Sequence, residues 1–449
     1  MQDRLDNIGF VGHLDLESPV EDITNAIPSI ATRVNHILGV AGRGNITPMA
    51  DLRFVRASEQ FVPNKTAPMI RKEIYGLDEI VQRFNVELHY VTSGSTGHTF
   101  QARCRNSGKI MFAMKVAAYP RYLPDPKNPD VPVVSVIDDI RQAQNTELRM
   151  ILLLSELVIH GKTPHIVLPL WTFNTPTERF AVMGNPKSRT VRDNSNILEN
   201  KQYQQFVKGY YNQEFEEVSS VLISEWCDRG DLLDYIRKNF DQIREEEWVI
   251  IIFQVLIMLA KIHEHYPEFK HNDFKCNNIL LHSTPPKYRN EYYCYPLGDK
   301  LELIVPDIGY QLKMWDFDFA SIGQFVANSK VDSGWASRMG ITSQQNQYYD
   351  VHYFFHFFLI DSVVRGMPER LPPAILEFVH RIIPKKYRPD IRIVTRTYRK
   401  TGKKATFVEQ KNPNLNRSSR MLHNTCFVTP KQILERDPLF KKFRRTRVR

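Results

Sequence analysis

The sequence predicts an α+β protein with two lobes, a small lobe rich in antiparallel β-strands and a larger, mainly helical lobe. Residues 86–91 alternate apolar and polar side chains, and a turn with two glycines leads into a second apolar strand, which indicates a β-hairpin. Residues 245–264 have the length and the apolar content of a buried helix. Between them, the short strand 221–224 opens into a polar bend with a glycine, which suits a hinge between two lobes.

The composition is typical of a soluble globular protein. With 449 residues, the chain is long enough for two or three domains or for one large two-lobed enzyme. Its 42% hydrophobic and 24% charged residues exclude a disordered or membrane-like chain. Five scattered cysteines and a start without a signal-peptide pattern predict a reducing, intracellular compartment. The longest apolar run, 248–260, is shorter than the roughly 20 residues of a bilayer span, so we expect no transmembrane segment.

The net charge of +10 is unevenly distributed along the chain. Basic residues dominate the segment 385–404, where Asp390 is the opposing charge, and the last residues, 441–449. Such clusters indicate either an acidic partner, such as nucleic acid, or a solvated basic face, which is the more common case.

Residues 1–84 contain mixed helix and loop signals and no recognisable chemistry, so an extension on the main domain and a partner-binding segment both stay open. The hairpin that follows has Gly94 and Gly97 at its tip, where exposed backbone N–H groups can cover phosphates. An ordinary hairpin turn is the alternative.

Lys115 lies at the centre of the next apolar strand, 109–119, where an unpaired ammonium group would be costly to bury. It therefore needs an anionic partner. The helical pattern 146–160 offers Glu147, which either faces inward and pairs with Lys115 or faces solvent near the helix N-terminus. The proline-rich stretch between strand and helix, about 120–132, is longer than such a connection requires and predicts an inserted loop.

The middle of the chain contains further candidate elements. Two more strands are predicted, at 165–173 and 179–183, and a polar stretch at 184–204 indicates a surface insertion. After the long helix comes a loop rich in proline and tyrosine, which extends to Pro306, and then a strand that ends in an acidic turn at Asp316.

The stretch 271–278, HNDFKCNN, places Asp273, Lys275 and Asn278 on one short loop after the long helix. A phosphoryl-transfer site needs such a set: a base for the attacking hydroxyl, a cation near the moving phosphate and an oxygen ligand for magnesium. Asp316 could supply a second oxygen ligand beside Asn278. Taken alone, the stretch is equally consistent with an ordinary helix-to-strand turn.

In this order, the parts resemble those of a eukaryotic-type serine/threonine protein kinase: glycine-rich loop, strand lysine, helix glutamate, hinge, catalytic loop and metal-binding aspartate. The resemblance covers about residues 85–350 and implies the two-lobed protein-kinase fold. The insertion after Leu281, the DFD sequence 316–318 and the Tyr-Tyr-Asp that ends at Asp350 are most similar to the kinases of nucleocytoplasmic large DNA viruses, the poxvirus and iridovirus group.

The resemblance implies roles for individual residues. The residues matched to ATP binding are Gly94, Ser95, Thr96, Gly97, Lys115, Glu147, Glu225, Trp226 and Cys227. Asp273 matches the catalytic base and Lys275 the lysine beside the γ-phosphate, a pattern of serine/threonine kinases. Asn278 and Asp316 match the ligands of Mg²⁺, with Mn²⁺ as an alternative. Asp350 matches the aspartate that supports the catalytic loop from below.

Two departures from the family pattern affect regulation. Asn272 replaces the arginine that normally precedes the base, so the cation that would bind an activation-loop phosphate is missing. Asp318 replaces the glycine of the metal-binding motif, and no Ala-Pro-Glu anchor follows. We therefore predict activity without activation-loop phosphorylation.

The resemblance implies phosphorylation of protein Ser/Thr hydroxyls with ATP, inside the host cytoplasm or in a virion. A pseudokinase that acts as a binding scaffold and a kinase for small molecules or lipids are the alternatives. The expected domains are an N-terminal extension, 1–84; the small lobe, 85–224, with insertions near 120–132 and 184–204; the large lobe, 225–440, with an insertion near 282–310 and the basic segment 385–404; and a basic tail, 441–449.

Overall fold

The structure is a computed structural model. It describes residues 72–94, 97–124, 132–134, 136–139, 141–159, 162–184, 191–192, 197–284, 292–323, 326–331, 333–360, 364–389, 391–397, 404–410, 412–416 and 418–446. The predicted extension therefore lies outside the described residues up to position 71.

The small lobe is built on a six-stranded sheet in the order β6-β8-β3-β2-β1-β7. Its strands are β1 (Val86–Ser93), β2 (Gly97–Cys104), β3 (Ile110–Pro120), β6 (Pro169–Pro176), β7 (Val191–Arg192) and β8 (Phe215–Ser224). All neighbouring strands are antiparallel except β1 and β7, which are parallel. The predicted hairpin is β1 and β2, and the strand with Lys115 is the centre of the sheet.

Two helices cover the sheet. The first, α1 (Leu77–Arg83), buries Leu77 and Ile80, and its neighbour Phe84 packs edge-on against Phe112 of β3. The second, α2 (Ala143–Ile159), contains the predicted Glu147. Residues 77–84 thus pack in the core beside the predicted boundary at residue 85.

The structure describes part of each of the two predicted insertions of the small lobe. Beside the first, β4 (Tyr122–Pro124) pairs with β5 (Pro132–Val134). The second leads into α4 (Lys201–Tyr211), which buries aromatic side chains against the sheet. The strand predicted at 179–183 is wrong, because this stretch contains a short helix, α3 (Glu178–Ala181). Its two buried residues are adjacent, Phe180 and Ala181, so the pattern is too short to distinguish a helix from a strand.

The large lobe is mainly helical. Its helices are α5 (Leu232–Asn239), α6 (Glu245–His265), α7 (Gly334–Arg338), α8 (Tyr349–His356), α9 (Met367–Arg370), α10 (Pro373–Ile382) and α11 (Pro430–Arg436). Every side chain of α6 from Trp248 to His263 is buried. This helix is long and apolar enough to cross a membrane, but 89% of its most apolar window is buried inside the protein, as expected for a core helix.

Short strands position the loops of the large lobe. They are β9 (Phe269–Lys270), β10 (Ile279–Ser283), β13 (Tyr310–Met314) and β14 (Ser321–Ile322). Strand β10 pairs with β13, and β9 pairs with β14. These two pairs bring residues 271–278 next to residues 315–320.

Two predictions about the large lobe are corrected by a three-stranded sheet. The segment predicted as a loop up to Pro306 contains the hairpin β11 (Tyr292–Leu297) and β12 (Leu301–Pro306). The predicted basic tail supplies the third strand, β17 (Arg444–Thr446), which pairs with β12. Proline and tyrosine are turn and strand residues respectively, so composition alone did not reveal the hairpin.

The basic segment 385–404 leads into a strand pair, β15 (Ile391–Thr397) and β16 (Lys404–Gln410). Residues 398–403 between them lie outside the described residues. The predicted acidic or nucleic-acid partner of the basic segments stays a prediction.

Five buried histidines make the fold sensitive to acid. Burial lowers their pKa to about 3 or 4: His98, His165, His263, His352 and His356. An unfolded histidine binds a proton near pH 6.5, whereas these residues stay neutral in the folded protein. The unfolded state therefore binds more protons as the pH falls below about 6.5, and the free energy of unfolding decreases.

We predict that His356→Leu makes the free energy of unfolding less sensitive to acid, because it removes one of these five side chains. In the described part of the chain, neither ring nitrogen of His356 has a hydrogen-bond partner, so the substitution breaks no hydrogen bond. Urea unfolding at pH 7.5 and 5.5 measures the effect. The variant should lose about 1 kcal/mol less stability than wild type over this interval. His423→Leu, at an exposed position, is the control and should follow wild type. Parallel pH dependence of wild type and His356→Leu would contradict the assignment.

Candidate active site

A cavity of about 530 Å³ lies between the two lobes. Its lining comes from the glycine turn, the centre of the sheet, the hinge, the loop before β10 and the loop after β13. It includes Gly94, Gly97, Lys115, Glu147, Ser224, Glu225, Trp226, Cys227, Asn278, Trp315, Asp316 and Asp318. The structure thus brings most of the residues predicted from sequence to one site.

Lys115 is the centre of a buried charge cluster. Its Nζ lies 2.6 Å from Oε1 of Glu147 and 3.1 Å from Oδ1 of Asp316. The predicted pairing of Lys115 with Glu147 is therefore present. Burial alone would lower the pKa of Lys115, but the two carboxylates raise it above its ordinary value, so the lysine stays charged. Burial opposes the ionised form of Asp316, yet Lys115 lowers its pKa overall, so this carboxylate stays ionised.

The glycine turn forms the edge of the cavity next to β3. The amide of Gly94 donates a hydrogen bond to the carbonyl of Gly97 over 2.8 Å, which closes the turn. A Cβ atom at Gly97 would lie 2.7 Å from the carbonyl oxygen of Val116, so only glycine allows this approach of β2 to β3. The two predicted residues between them, Ser95 and Thr96, lie outside the described residues.

The hinge is fixed by a buried ion pair that the sequence reading did not predict. Oε1 of Glu225 lies 2.8 Å from Nζ of Lys313 in β13, and both side chains are almost fully buried. The same oxygen accepts a hydrogen bond from the amide of Leu168 over 2.8 Å. The Glu225 carboxylate therefore connects the hinge to the strand before Asp316, while Trp226 and Cys227 line the cavity.

The loop 271–278 is held from below by Asp350 of α8. Its two carboxylate oxygens accept the backbone amides of His271, over 2.7 Å, and Asn272, over 3.0 Å. Asn272 has a φ of +63°, a conformation that costs energy for a residue other than glycine. The two hydrogen bonds hold this turn directly before Asp273, which, like Lys275, is not among the residues that line the cavity.

Three side chains hold Asp273. Its Oδ2 lies 2.8 Å from Nζ of Lys275 and accepts a hydrogen bond from Nδ2 of Asn278 over 3.2 Å. Its Oδ1 lies 2.6 Å from the guanidinium of Arg420. Lys275 and Asn278 were predicted from sequence. Arg420 was not, because it lies 147 residues further along the chain in a segment without any recognised motif.

Asp316 also has an unusual backbone, with a φ of +62°. The next residue, Phe317, is fully buried, and its ring lies 5.5 Å from that of His271. Asp318, in place of the expected glycine, lies 2.5 Å from Nζ of Lys330. The segment after β13 is therefore tied to the loop 271–278 on one side and to residues 328–331 on the other.

This arrangement is suited to chemistry on a phosphorylated ligand. Lys115 presents a cation to the cavity, Asp316 and Asn278 present oxygen atoms beside it, and the carboxylate of Asp273 is held next to Lys275. Strand pairing places the metal-ligand candidates side by side, because the amide of Trp315 donates to the carbonyl of Asn278 over 3.1 Å. Carboxylate and amide oxygens are suitable ligands for a hard divalent cation.

Comparisons with known proteins agree with this chemistry. A family model described as "Poxvirus serine/threonine protein kinase" matches residues 231–369. A protein of Acanthamoeba polyphaga mimivirus named "Putative serine/threonine-protein kinase" is 37% identical over 405 residues, 89% of this chain and 78% of that protein. A second mimivirus protein of the same description is 27% identical over 180 residues, 36% of this chain and 45% of that protein.

Among solved structures, a twitchin kinase fragment of C. elegans matches with 13% identity and a TM-score of 0.29, over 58% of this chain and 37% of that one. A TM-score this low supports no conclusion. The fold follows from the sheet, the helices and the site geometry of the chain itself.

Proposed function

Since this chain belongs to the family of viral serine/threonine protein kinases, we propose that the loop 271–278 and Asp316 are its catalytic centre. The protein is an ATP-dependent enzyme that uses a divalent metal ion and phosphorylates Ser or Thr of protein substrates. The observation that best supports the proposed centre is the contact of Lys115 with both Glu147 and Asp316, since it joins three separate elements around one cavity.

Asp273 is the proposed base. Its carboxylate orients the substrate hydroxyl and accepts its proton as the oxygen attacks phosphorus. Lys275, whose Nζ lies 2.8 Å from Asp273, offsets negative charge on the transferring phosphoryl group. Lys115, held by Glu147, binds and orients the phosphates of the nucleotide.

Asp316 and Asn278 are the proposed metal ligands, and Mg²⁺ is the proposed ion. The donor set fits this ion, because Mg²⁺ binds few protein oxygens and retains water and phosphate ligands. Burial alone would raise the pKa of Asp316, but the charge of Lys115 outweighs this effect and lowers the pKa overall. The carboxylate is therefore ionised and can bind a cation. When bound, the ion neutralises charge on the phosphates.

The domain arrangement that we propose follows the described residues. The small lobe begins by about residue 72 and ends at the hinge, and the large lobe extends to at least residue 446. In keeping with its viral relatives, we propose that the kinase acts in the host cytoplasm or in the virion.

We further propose that activity does not require a phosphate on the segment after Asp316. Contacts within the chain hold this segment: Lys330 with Asp318, and Nζ of Lys270 with the carbonyl of Thr342 over 2.7 Å. The side chain of Asn272 donates to the carbonyl of Phe319 over 3.0 Å. In phosphate-dependent kinases, an arginine and a phosphate hold this segment in place. In this protein, the contacts within the chain hold it instead.

The first prediction tests the base. Asp273→Ala should leave the affinity for ATP nearly unchanged and reduce kcat by a factor on the order of 10² or more, because proton transfer is lost while the nucleotide site remains. Phosphotransfer to a panel of acidic and basic proteins, beside nucleotide binding, measures both quantities. Asp241→Ala, at an exposed position in the large lobe, is the control and should behave as wild type. Near-normal turnover of Asp273→Ala would refute the proposed centre.

The second prediction tests independence from phosphorylation. The triple variant with Ser333, Thr342 and Ser343 changed to Ala should retain phosphotransfer within a few-fold of wild type, because no phosphate is needed at these positions. Ser333 caps α7 by accepting a hydrogen bond from the amide of Ala336, so its loss should cost about 1 kcal/mol of stability. Thermal unfolding controls for this effect. Loss of activity in a folded triple variant would contradict the proposal.

A further inference from the structure

We propose that Arg420 is a positioning residue for the catalytic base: it supplies, from the C-terminal part of the chain, the cation that is absent at position 272. The inference rests on the proposed role of Asp273. Arg420 contacts the base and not the reacting atoms, so its effect on turnover passes through Asp273.

The guanidinium of Arg420 makes several contacts at once. It lies 2.6 Å from Oδ1 of Asp273, and its Nε and one terminal nitrogen each lie 3.4 Å from the carbonyl oxygen of Asn272. Its central carbon lies 4.3 Å from the centre of the Tyr353 ring, a distance typical of a cation–π contact. The Arg420 side chain is only 7% exposed, so the cation is enclosed by the site.

A structured loop places Arg420 there. The side-chain oxygen of Asn416 accepts the amides of Ser418, over 2.8 Å, and Arg420, over 3.0 Å. The carbonyl of Ser419, whose φ is +63°, lies 3.0 Å from Nε2 of His352 in α8. The loop is thus anchored to the same helix that contains Asp350 and Tyr353.

The loop is also attached to the segment after Asp316. The side chain of Asn416 donates to the carbonyl of Met339. At Gly340, which has a φ of +71°, a Cβ atom would lie 3.4 Å from the Cβ of Arg420 and 3.3 Å from the carbonyl of Met421. The position of Arg420 is therefore linked both to α8, below the loop 271–278, and to residues 339–340 of the segment after Asp316.

Arg420 completes the orientation of Asp273. Lys275 and Asn278 hold Oδ2, and Arg420 holds Oδ1, so the carboxylate cannot rotate freely about its side-chain bonds. Burial raises the pKa of Tyr353, whose ring contacts Arg420, to about 12, so its phenol stays protonated. A carboxylate held in one orientation presents the same free lone pair to every substrate hydroxyl.

A purely structural ion pair is the competing explanation. Buried ion pairs often contribute little to stability compared with apolar side chains of similar volume. If Arg420 served stability alone, an apolar residue of similar length would replace it without a specific effect on catalysis. The Met and Lys variants separate the two explanations.

The test compares wild type, Arg420→Met and Arg420→Lys under steady-state conditions with ATP and a protein substrate. We expect Arg420→Met to lower kcat at least tenfold with little change in KM for ATP, and Arg420→Lys to recover part of the loss, because it restores charge but not the forked geometry. Arg381→Met, which removes a surface pair with Asp437, is the matched control.

A double-mutant cycle tests the proposal even if Arg420→Met is poorly stable. In the Asp273→Ala background, removal of Arg420 should cost no further turnover and should raise the melting temperature, since an unpaired buried cation is removed. A multiplicative further loss of turnover would overturn the proposal, as would an Arg420→Met enzyme with wild-type kcat. If Asp273→Ala itself were active, the proposed base would fail independently of Arg420.

Discussion

The loop 271–278 depends on one buried carboxylate, that of Asp350. Its two oxygens accept the consecutive amides of His271 and Asn272 and thereby hold Asn272 at a φ of +63°. Burial raises the pKa of Asp350, and these hydrogen bonds, with nearby positive charge, act against that shift. The turn exposes the carbonyl of Asn272 to Arg420 and directs Asp273 towards Lys275. Asn at position 350 would leave one of the two buried amides without an acceptor and Ala would leave both, at a cost of about 1–3 kcal/mol for each amide.

Around this loop, lysine and arginine side chains of the chain pair with the carboxylates of the site. Lys115 lies between Glu147 and Asp316, Lys330 pairs with Asp318, and Arg420 pairs with Asp273. The pairs Lys115–Asp316 and Arg420–Asp273 join segments that are distant in sequence. The two positive φ values, at Asn272 and Asp316, lie next to these pairs, so the same contacts stabilise the strained backbone. The proposed independence from phosphorylation rests on this internal arrangement.

Much of the site could be predicted from the sequence because its parts lie within short, ordered stretches. The lysine in an apolar strand demanded an acidic partner, and Glu147 lies at 2.6 Å from it. The loop 271–278 contains its own base, cation and amide. Arg420 could not be found this way, since no local pattern relates it to Asp273 across 147 residues. The one indication of a missing cation was Asn272, which occupies the position where the family pattern has an arginine.

The fold shows the same division between local and distant information. The central strands and the long helix α6 have strong periodicity and were predicted within a few residues. The short helix at Glu178–Ala181 and the hairpin of Tyr292–Pro306 were missed, since four-residue patterns are ambiguous and proline suggested a loop. The packing of residues 77–84 on the sheet and the pairing of Arg444–Thr446 with β12 are distant contacts that only the folded chain reveals.

The most direct test of a catalytic centre assembled by the chain's own charges is the earliest part of the reaction time course. Wild-type protein is treated with a phosphatase, its intact mass is checked for the absence of phosphate, and phosphotransfer is followed from the moment ATP and metal ion are added. The account predicts a maximal rate from the start, independent of how long the enzyme has been incubated with ATP. A lag that shortens as enzyme concentration rises would show activation by phosphorylation between molecules and would contradict it.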